Sequence, residues 1–347
     1  MSLGGHSVAV VAGGPSAEAE VSRTSAAAVA AALGRGGHRV TTLELDARLA
    51  ERLNEARIEV VFPVTHGPLG EDGCLQGLLE VLGLPYVGSG VLASALCMSK
   101  PHAKAQFRKA GLPVASGLSV RREHDTLRFE MGMLMPGERD WLRMARELRS
   151  HLGPAVVVKP ASGGSAIGVG RIREDASDED LVAALELAFT ADDLVLVECF
   201  HAGREVTCGV LEDDDGSARA LPPTLILPRA ADWYDFRSRY AKAGSDHVCP
   251  APFDKALTDR IQEVAEDAHR TVGARDLSRV DFVVGEGDPE RAVTLLEVNT
   301  LPGMTATSLF PEAAAAAGTT FDALCDHLVR RALARPRRRV PAALPMP

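Results

Sequence analysis

The sequence predicts an α/β protein of three domains. Strand-like and helix-like segments alternate through the first hundred residues, and a glycine-rich segment separates two strands in the middle of the chain. Near the C-terminus, two strands carry polar residues at every second position. A chain of 347 residues, 46% hydrophobic and 24% charged, is long enough for two or three globular domains.

The first hundred residues are predicted to form an open α/β sheet, which defines an N-terminal domain over residues 1–100. Apolar strands alternate there with helical segments, and Gly83 and Pro85 give a stop signal for the last of these helices. The predicted strands are 7–12, 40–45 and 58–64, and the predicted helices are 21–33 and 74–82.

The rest of the chain divides into two further units and a tail. In the central unit, 101–198, the segment 125–151 is predicted to be an irregular insertion that packs its own apolar face. A C-terminal unit covers 199–335, and the basic, proline-rich residues 336–347 are predicted to be disordered. The predicted central elements are helix 101–110, strands 155–159, 169–173 and 194–198, and helix 178–189.

Composition excludes several classes of protein. A net charge of −9 argues against a nucleic-acid partner, because binding to a phosphate backbone requires a basic surface. The six cysteines show neither CxxC nor Cys/His spacing, so we expect reduced thiols without zinc or disulfides. No basic leader or apolar run of membrane-spanning length is present, which favours a cytoplasmic protein without a membrane partner.

The two polar-alternating strands predict a metal site. Glu297 and Asn299 face the same side of one strand, and Asp281, with Arg279, can face that side from a neighbouring strand. Carboxylate and amide oxygens are ligands that suit Mg²⁺, which usually also binds substrate phosphates. The pattern thus favours nucleotide chemistry, although a sheet edge whose charges simply face water has the same alternation.

The glycine-rich segment 161–168 follows the apolar strand that ends at Lys159. A further strand comes after it, so the segment is predicted to be a hairpin, unlike the strand-to-helix turn of a P-loop or a dinucleotide-binding fold. Such a hairpin can lay backbone N–H groups over phosphates, with Lys159 as a point charge beside them.

A candidate nucleoside site follows the next strand. An adenine needs an acceptor for its amine and a backbone donor for its ring, and a ribose needs an acceptor for its hydroxyl groups. Glu198, the backbone of Cys199 and Glu205 can supply these groups. The alternative interpretation is that both glutamates are ordinary surface residues.

Further motifs accompany these segments in a definite order along the chain. They are residues 13–22 (GGPSAEAEVS), 66–67 (HG), 70–73 (GEDG), 88–90 (GSG), 98–100 (MSK), 159–160 (KP), 164–165 (GS), 279–281 (RVD) and 297–305 (EVNTLPGMT). Together they resemble the D-alanine–D-alanine ligases of the ATP-grasp superfamily over nearly the whole chain. The resemblance implies an N-terminal substrate-binding domain followed by two ATP-grasp subdomains that enclose ATP.

The resemblance also implies where the nucleotide and its metal ions bind. Lys100 and Lys159 are expected to contact the phosphates. The nucleoside is expected to be held by Glu198, Cys199 and Glu205. Two Mg²⁺ ions, with Mn²⁺ as an alternative, are expected to be bound by Asp281, Glu297 and Asn299.

Substrate roles follow from the same resemblance. Glu18 is expected to hold the amino group of a first D-alanine, with His66 nearby. The hydroxyl of Ser308 and the backbone of Leu309 are expected to hold the carboxylate of a second D-alanine. Arg279 and the backbone of Gly303 are expected to face the reacting acyl group.

A closing loop is assigned to residues 229–246. The resemblance implies that Tyr240 in this loop meets Ser165 and Glu18 at the amino-acid site, and a tyrosine there favours an amine as the second substrate. Arg239 stands where the family usually has a lysine aimed at the γ-phosphate, and arginine is a planar fork instead of a point charge. Gly163 and Ala166 also depart from the usual pattern of the glycine-rich hairpin.

The implied activity is ATP-dependent ligation of two D-alanines through an acyl phosphate, for peptidoglycan precursors, in a homodimeric enzyme. Alternatives within the fold are D-serine or D-lactate as the second substrate, or another ATP-grasp carboxylate–amine ligase. A non-catalytic nucleotide sensor of the same fold is the alternative from a different class. A dehydrogenase is disfavoured, because the residues 13–15 lack the glycine spacing of a dinucleotide site.

Overall fold

The structure of the protein is a computed structural model that describes residues 5–123, 126–130, 140–164, 166–228 and 245–336. Within these residues, three β-sheets are formed by successive parts of the chain, and helices pack against them. This arrangement confirms the predicted α/β class of fold. The domain boundaries given above remain a prediction.

The N-terminal part contains the elements β1 (Ser7–Ala12), α1 (Ala19–Arg35), β2 (Arg39–Glu44), α2 (Leu49–Glu55), β3 (Val60–Pro63), α3 (Cys74–Leu82) and α4 (Val91–Met98). Its sheet is parallel, in the order β2-β1-β3. Val8 and Val10 pack in the same core as α1, whereas Ala9 and Val11 pack with α2 and α3 on the other face. Both faces of β1 are therefore covered, which explains why this strand is a continuous apolar run.

The central part contains α5 (Lys100–Lys109), β4 (Gly117–Glu123), β5 (Thr126–Glu130), α6 (Trp141–Leu152), β6 (Val156–Pro160), β7 (Gly170–Ile172), α7 (Asp178–Ala188) and β8 (Leu194–Cys199). Its antiparallel sheet has the order β5-β4-β8-β6-β7. The strands β6 and β7 are antiparallel neighbours, which confirms the predicted hairpin around the glycine-rich segment.

The prediction of an irregular insertion over residues 125–151 is wrong for the part that the structure describes. Strand β5 pairs with β4, and helix α6 begins after Asp140, whose carboxylate accepts two backbone N–H groups of the first turn. Met144, Leu148 and Leu152 recur at helical spacing and are buried in the core of the central part, and this spacing is the signal that was overlooked. The apolar residues Met131, Met133, Leu134 and Met135 lie outside the described residues.

The C-terminal part contains β9 (Arg204–Glu212), β10 (Ala218–Ala220), β11 (Thr224–Pro228), β12 (Ser245–Val248), α8 (Lys255–Val272), β13 (Leu277–Val284), α9 (Pro289–Ala292), β14 (Val293–Asn299), α10 (Leu309–Ala316) and α11 (Phe321–Ala334). Its antiparallel sheet has the order β12-β11-β9-β13-β14, with β10 paired to β9. In the part of the chain that the structure describes, no helix has both the length and the apolar character needed to cross a membrane.

The three parts contact one another directly. The backbone N–H of Leu295 on β14 donates to the carbonyl of Pro113 at 2.7 Å. This hydrogen bond joins the segment between α5 and β4 to the C-terminal sheet. Helix α11 returns to the N-terminal part, where Asp322 accepts from the guanidinium of Arg35 at 2.6 and 2.8 Å. Leu328 of α11 is buried in the same core as α1. Residues far apart in the sequence are thereby brought around common cavities.

Candidate active site

Strands β13 and β14 place four polar side chains together on the C-terminal sheet. Their register sets Arg279 opposite Asn299 and, two residues on, Asp281 opposite Glu297. The Arg279 guanidinium donates from Nε and Nη2 to the two carboxylate oxygens of Asp281 at 2.8 and 2.9 Å. Asn299 Nδ2 and Thr207 Oγ1 also donate to this carboxylate, at 3.1 and 2.8 Å. The structure thus brings together the side chains that the alternation predicted to share a face.

These side chains fit a magnesium site in their chemistry. Asp281, Glu297 and Asn299 supply two carboxylates and one amide oxygen, which are hard donors of the kind that Mg²⁺ prefers. The two carboxylate oxygens of Asp281 are bound by Arg279 in the state described here. Because both oxygens also accept from Asn299 or Thr207, metal binding through Asp281 requires at least one of these donors or the guanidinium to turn away.

Lys100 connects helix α5 to the glycine-rich segment. We call this segment, residues 161–168, the flap, of which residue 165 lies outside the described residues. The ammonium of Lys100 donates to the carbonyl oxygen of Gly163 at 2.5 Å and lies 3.8 Å from Glu297 Oε2. The backbone N–H of Lys100 donates to the carbonyl of Ala161 at 2.9 Å. A cation therefore stands between the flap and the predicted metal ligands.

Glu198 lies buried between two lysines. Its Oε2 accepts from Lys159 Nζ at 2.8 Å, and its Oε1 lies 2.6 Å from Lys104 Nζ. Burial alone would raise the pKa of the Glu198 carboxyl, but the two ammonium groups lower it to about 2. Burial likewise opposes the charge of Lys159, yet the attraction of Glu198 raises the pKa of Lys159 above its ordinary value. The interpretation of Glu198 as a surface residue is wrong, since only 1% of it is exposed.

Two adjoining cavities contain all the predicted site residues that the structure describes. The first, of about 430 Å³, is lined by Lys100, Lys159, Glu198, Cys199, Glu205 and Glu297, among others. The second, of about 320 Å³, is lined by Glu18, His66, Arg279, Asp281, Glu297, Asn299, Gly303, Ser308 and Leu309, among others. The flap residue Gly164 and Glu297 line both cavities. A ligand in the first cavity can therefore reach one in the second beside Glu297.

The wall of the second cavity nearest the N-terminal sheet carries two carboxyl groups and a histidine. Burial lowers the pKa of His66, and the nearby Arg279 adds to this effect against the attraction of Glu18. Burial raises the pKa of Glu71 to about 8, although the Gly67 N–H donates to its Oε1 at 2.8 Å. Glu71 belongs to the GEDG motif, but no pattern in that motif assigned it a role.

The opposite wall is the turn that leads into α10. Ser308 stands at the N-cap position of α10, and its side chain makes no capping hydrogen bond. Its Oγ instead accepts from the backbone N–H of Thr305 at 3.1 Å and lies 2.8 Å from Thr305 Oγ1. A Cβ atom built on Gly303 would lie 3.1 Å from Ser308 Oγ, so glycine allows the turn to approach this hydroxyl. The amino end of α10 consequently opens on the cavity, where it favours an anion.

Three predicted site residues cannot be located in this way. Ser165, Arg239 and Tyr240 lie outside the described residues, as does most of the predicted closing loop. Lys104 is a further charged residue beside the first cavity that we did not predict. Its signal in the sequence was its position one helical turn after Lys100, in a chain with few lysines.

Comparison with known proteins agrees with this geometry. A family described as "D-ala D-ala ligase C-terminus" matches residues 107–330, and one described as "D-ala D-ala ligase N-terminus" matches residues 45–89. A D-alanine–D-alanine ligase of Methylorubrum extorquens is 42% identical over 94% of this chain and 97% of its own length. One from Desulforudis audaxviator is also 42% identical, over 94% of this chain and 99% of its own length.

Solved structures show the same similarity. The D-alanine–D-alanine ligase of Coxiella burnetii matches with a TM-score of 0.76 and 26% identity, over 95% of this chain and 94% of the other. The Bacillus anthracis enzyme complexed with ATP matches with a TM-score of 0.73 and 28% identity, over 94% and 97%. Fold and site together define a ligase of the ATP-grasp type. The chain belongs to the D-alanine–D-alanine ligase family.

Proposed function

We propose that the protein joins two D-alanines to D-alanyl-D-alanine, with conversion of ATP to ADP and phosphate, for peptidoglycan precursors. The observation that carries this proposal is the contact between the two cavities at Glu297 and Gly164. One cavity offers two lysines to a triphosphate, and the other offers carboxyl groups, a guanidinium and a helix amino end to small zwitterions. The reacting carboxylate and the γ-phosphoryl group can meet where the cavities join.

In the first step, a carboxylate oxygen of the first D-alanine attacks the γ-phosphorus. A bond from carboxyl oxygen to phosphorus forms, the bond from the γ-phosphorus to the bridging oxygen breaks, and ADP leaves. Lys100 and Lys159 line the nucleotide cavity and neutralise charge on the phosphate oxygens. Glu18 holds the ammonium group of this D-alanine, which orients its carboxylate towards the nucleotide.

In the second step, the amine of the second D-alanine attacks the acyl carbon. A carbon–nitrogen bond forms, the bond from the acyl carbon to the phosphate oxygen breaks, and the departing phosphate takes up the proton that the amine loses. The Arg279 guanidinium and the Gly303 N–H donate to the oxygen on which negative charge develops, a role supported by the position of both residues in the wall of this cavity. Ser308 Oγ and the Leu309 N–H hold the carboxylate of the second D-alanine at the amino end of α10.

Two Mg²⁺ ions, or Mn²⁺, would be held by Asp281, Glu297 and Asn299. Bound there, they would supply positive charge to the β- and γ-phosphate oxygens. The support for this assignment is the donor set on β13 and β14 and its position at the junction of the cavities. Tyr240 and the loop 229–246 are proposed to close over the site and exclude water, as the family resemblance implies.

An amine acceptor is proposed over D-lactate on the basis of Tyr240, and D-serine, which also carries an amine, is distinguished from D-alanine by the product assay. The test is a product assay with ATP and D-alanine alone, then with equal amounts of D-serine or D-lactate added, read by mass spectrometry and phosphate release. We expect D-alanyl-D-alanine as the main product and phosphate release that depends on D-alanine. A mixed product in excess would favour an alternative acceptor, and phosphate release without D-alanine would contradict the proposal. Lys159→Met is the inactive control.

We further propose a cytoplasmic homodimer without nucleic-acid or membrane partners. The net charge of −9 supports the absence of a nucleic-acid partner. Val81 on α3 and Leu92 on α4 are 86% and 79% exposed on neighbouring helices, which gives an apolar surface that a second copy can cover. Light scattering tests the dimer, and Leu92→Glu should shift the mass towards that of the monomer.

A further inference from the structure

Lys104 is a buried lysine that the reaction described above does not use. It follows Lys100 by one turn of α5, but only 3% of it is exposed, and it is not among the residues that line the nucleotide cavity. Its ammonium lies 2.6 Å from Glu198 Oε1 and donates to the carbonyl of Leu295 at 3.4 Å. Burial lowers the pKa of Lys104 despite the attraction of Glu198. Burying a cation costs free energy that its ion pair and hydrogen bonds have to offset.

The arrangement contains one carboxylate and two cations. Glu198 faces Lys104 through one oxygen and Lys159 through the other, at 2.6 and 2.8 Å. Lys159 lines the nucleotide cavity, whereas Lys104 does not. When the Lys159 ammonium moves to a phosphate, Glu198 loses one of its two cations. Without Lys104, Glu198 would then have no cation beside it, and a carboxylate at this depth would either take up a proton or turn towards solvent.

We propose that Lys104 is a positioning residue for nucleotide binding that acts through Glu198. Lys104 keeps the carboxylate charged and fixed in the cavity wall while Lys159 serves the phosphates. The fixed carboxylate accepts a hydrogen bond from the exocyclic amine of adenine and repels the carbonyl oxygen that guanine carries at the same place. The inference deepens the proposed function, because it takes ATP as the ligand of this cavity.

The bond to Leu295 gives Lys104 a second fixed point. Leu295 lies on β14, two residues before Glu297, and its N–H is bound to Pro113. The ammonium of Lys104 therefore rests on the strand that carries the predicted metal ligands. This contact holds the cation in place when Lys159 departs, since Lys104 does not depend on Glu198 alone for its position.

The test measures nucleotide binding directly, by calorimetric titration of the full-length protein with ATP and with GTP. Lys104→Met is compared with wild type and with Lys109→Met, a control on the exposed end of the same helix. We expect Lys104→Met to weaken ATP binding about tenfold or more and to reduce the preference for ATP over GTP, with no change in Lys109→Met. A folded Lys104→Met protein with unchanged ATP affinity and preference would overturn the inference.

A double-mutant cycle separates positioning from simple structural support, and it remains usable if Lys104→Met does not fold. Lys104→Met combined with Glu198→Gln removes the carboxylate that needs the cation, so the double variant should regain a folded state. If Lys104 acts through Glu198, the double variant should bind ATP as Glu198→Gln does alone, within about twofold. A further tenfold loss in the double variant would contradict the inference. Because binding is measured without D-alanine, absence of ligase turnover in wild type would contradict only the proposed reaction.

Discussion

The guanidinium of Arg279 and the carboxylate of Asp281 form a two-point ion pair, with Nε–Oδ1 and Nη2–Oδ2 distances of 2.8 and 2.9 Å. The two residues are separated by one position on β13, so their side chains leave the same face of the strand. Asp281 is a proposed metal ligand, and Arg279 is proposed to face the acyl group. The ion pair therefore engages the groups that are proposed to bind metal and substrate, and the hydrogen bonds around Asp281 would rearrange when these ligands bind.

Arg279→Lys should lower kcat by about 100-fold or more while ATP affinity changes by less than about threefold. A lysine retains the charge but cannot donate two parallel hydrogen bonds to the developing oxyanion. Phosphate release gives kcat, and calorimetry gives the affinity for ATP. The control is Arg270→Lys on the exposed side of α8, which should match wild type. Equal losses of kcat and of ATP affinity would contradict a role confined to the acyl group.

Glu297→Gln should raise the Mg²⁺ concentration needed for half-maximal activity by about tenfold or more. The amide keeps the size of the side chain and loses the charge that attracts a divalent cation. The measurement is the activity after chelation with EDTA, titrated with Mg²⁺ and separately with Mn²⁺. Glu290→Gln on the surface helix α9 serves as the control. An unchanged Mg²⁺ curve in Glu297→Gln would exclude this side chain as a ligand.

Glu71→Gln should flatten the dependence of folding stability on pH. The pKa of Glu71 is raised from 4.5 to about 8 by burial, so the folded protein holds a proton between these values that the unfolded chain releases. The free energy of unfolding should thus fall as pH rises from about 4.5 to about 8, by at most about 1.4 kcal/mol per pH unit for this group. Urea denaturation across that range measures the slope. A slope equal to that of wild type would place the titration elsewhere, and Glu263→Gln is the exposed control.

Tyr240→Phe should lower turnover more than it lowers ATP affinity. The prediction rests on the sequence, since the residue lies outside the described part of the chain. Loss of the hydroxyl removes the hydrogen bond expected with Ser165 and Glu18 at the amino-acid site. Steady-state assays with varied D-alanine and ATP provide both constants. Turnover equal to that of wild type would show that the hydroxyl has no part in the reaction.

The sequence was sufficient to predict those helices and strands whose ends are determined by their own residues. The strand at 7–12 and the helix at 74–82 have the predicted ends. A continuous apolar run defines the strand, and Gly83 ends the helix. The short helices α2 and α4 were not predicted, since seven and eight residues give too short a periodic pattern. Helix α6 was missed although its cap and its apolar spacing are both visible in the sequence.

In the site, too, some residues could be predicted from the pattern within a strand, whereas contacts between residues far apart in the sequence could not. Period-two alternation was enough to place Asp281, Glu297 and Asn299 on one face, because the strands are hydrogen-bonded neighbours. The ion pair of Lys104 with Glu198 joins residues 94 positions apart, and no local sequence pattern predicts that the two residues are in contact. The raised pKa of Glu71 similarly depends on burial by other parts of the chain. Contacts between residues that are far apart in the sequence could not be predicted without the three-dimensional structure.

The hydrogen bond from Lys100 to the carbonyl of Gly163 has a consequence for inhibitors of this cavity. A compound that mimics only the nucleoside can occupy the adenine end and leave this bond intact. A compound that carries a phosphate can accept from the same ammonium, which has three N–H donors, and also from backbone N–H groups of the glycine-rich segment, so it holds the segment down more firmly. At saturating concentrations, ADP or a non-hydrolysable triphosphate should therefore slow protease digestion of the hairpin, whereas adenosine should not, which distinguishes inhibitors by their charge.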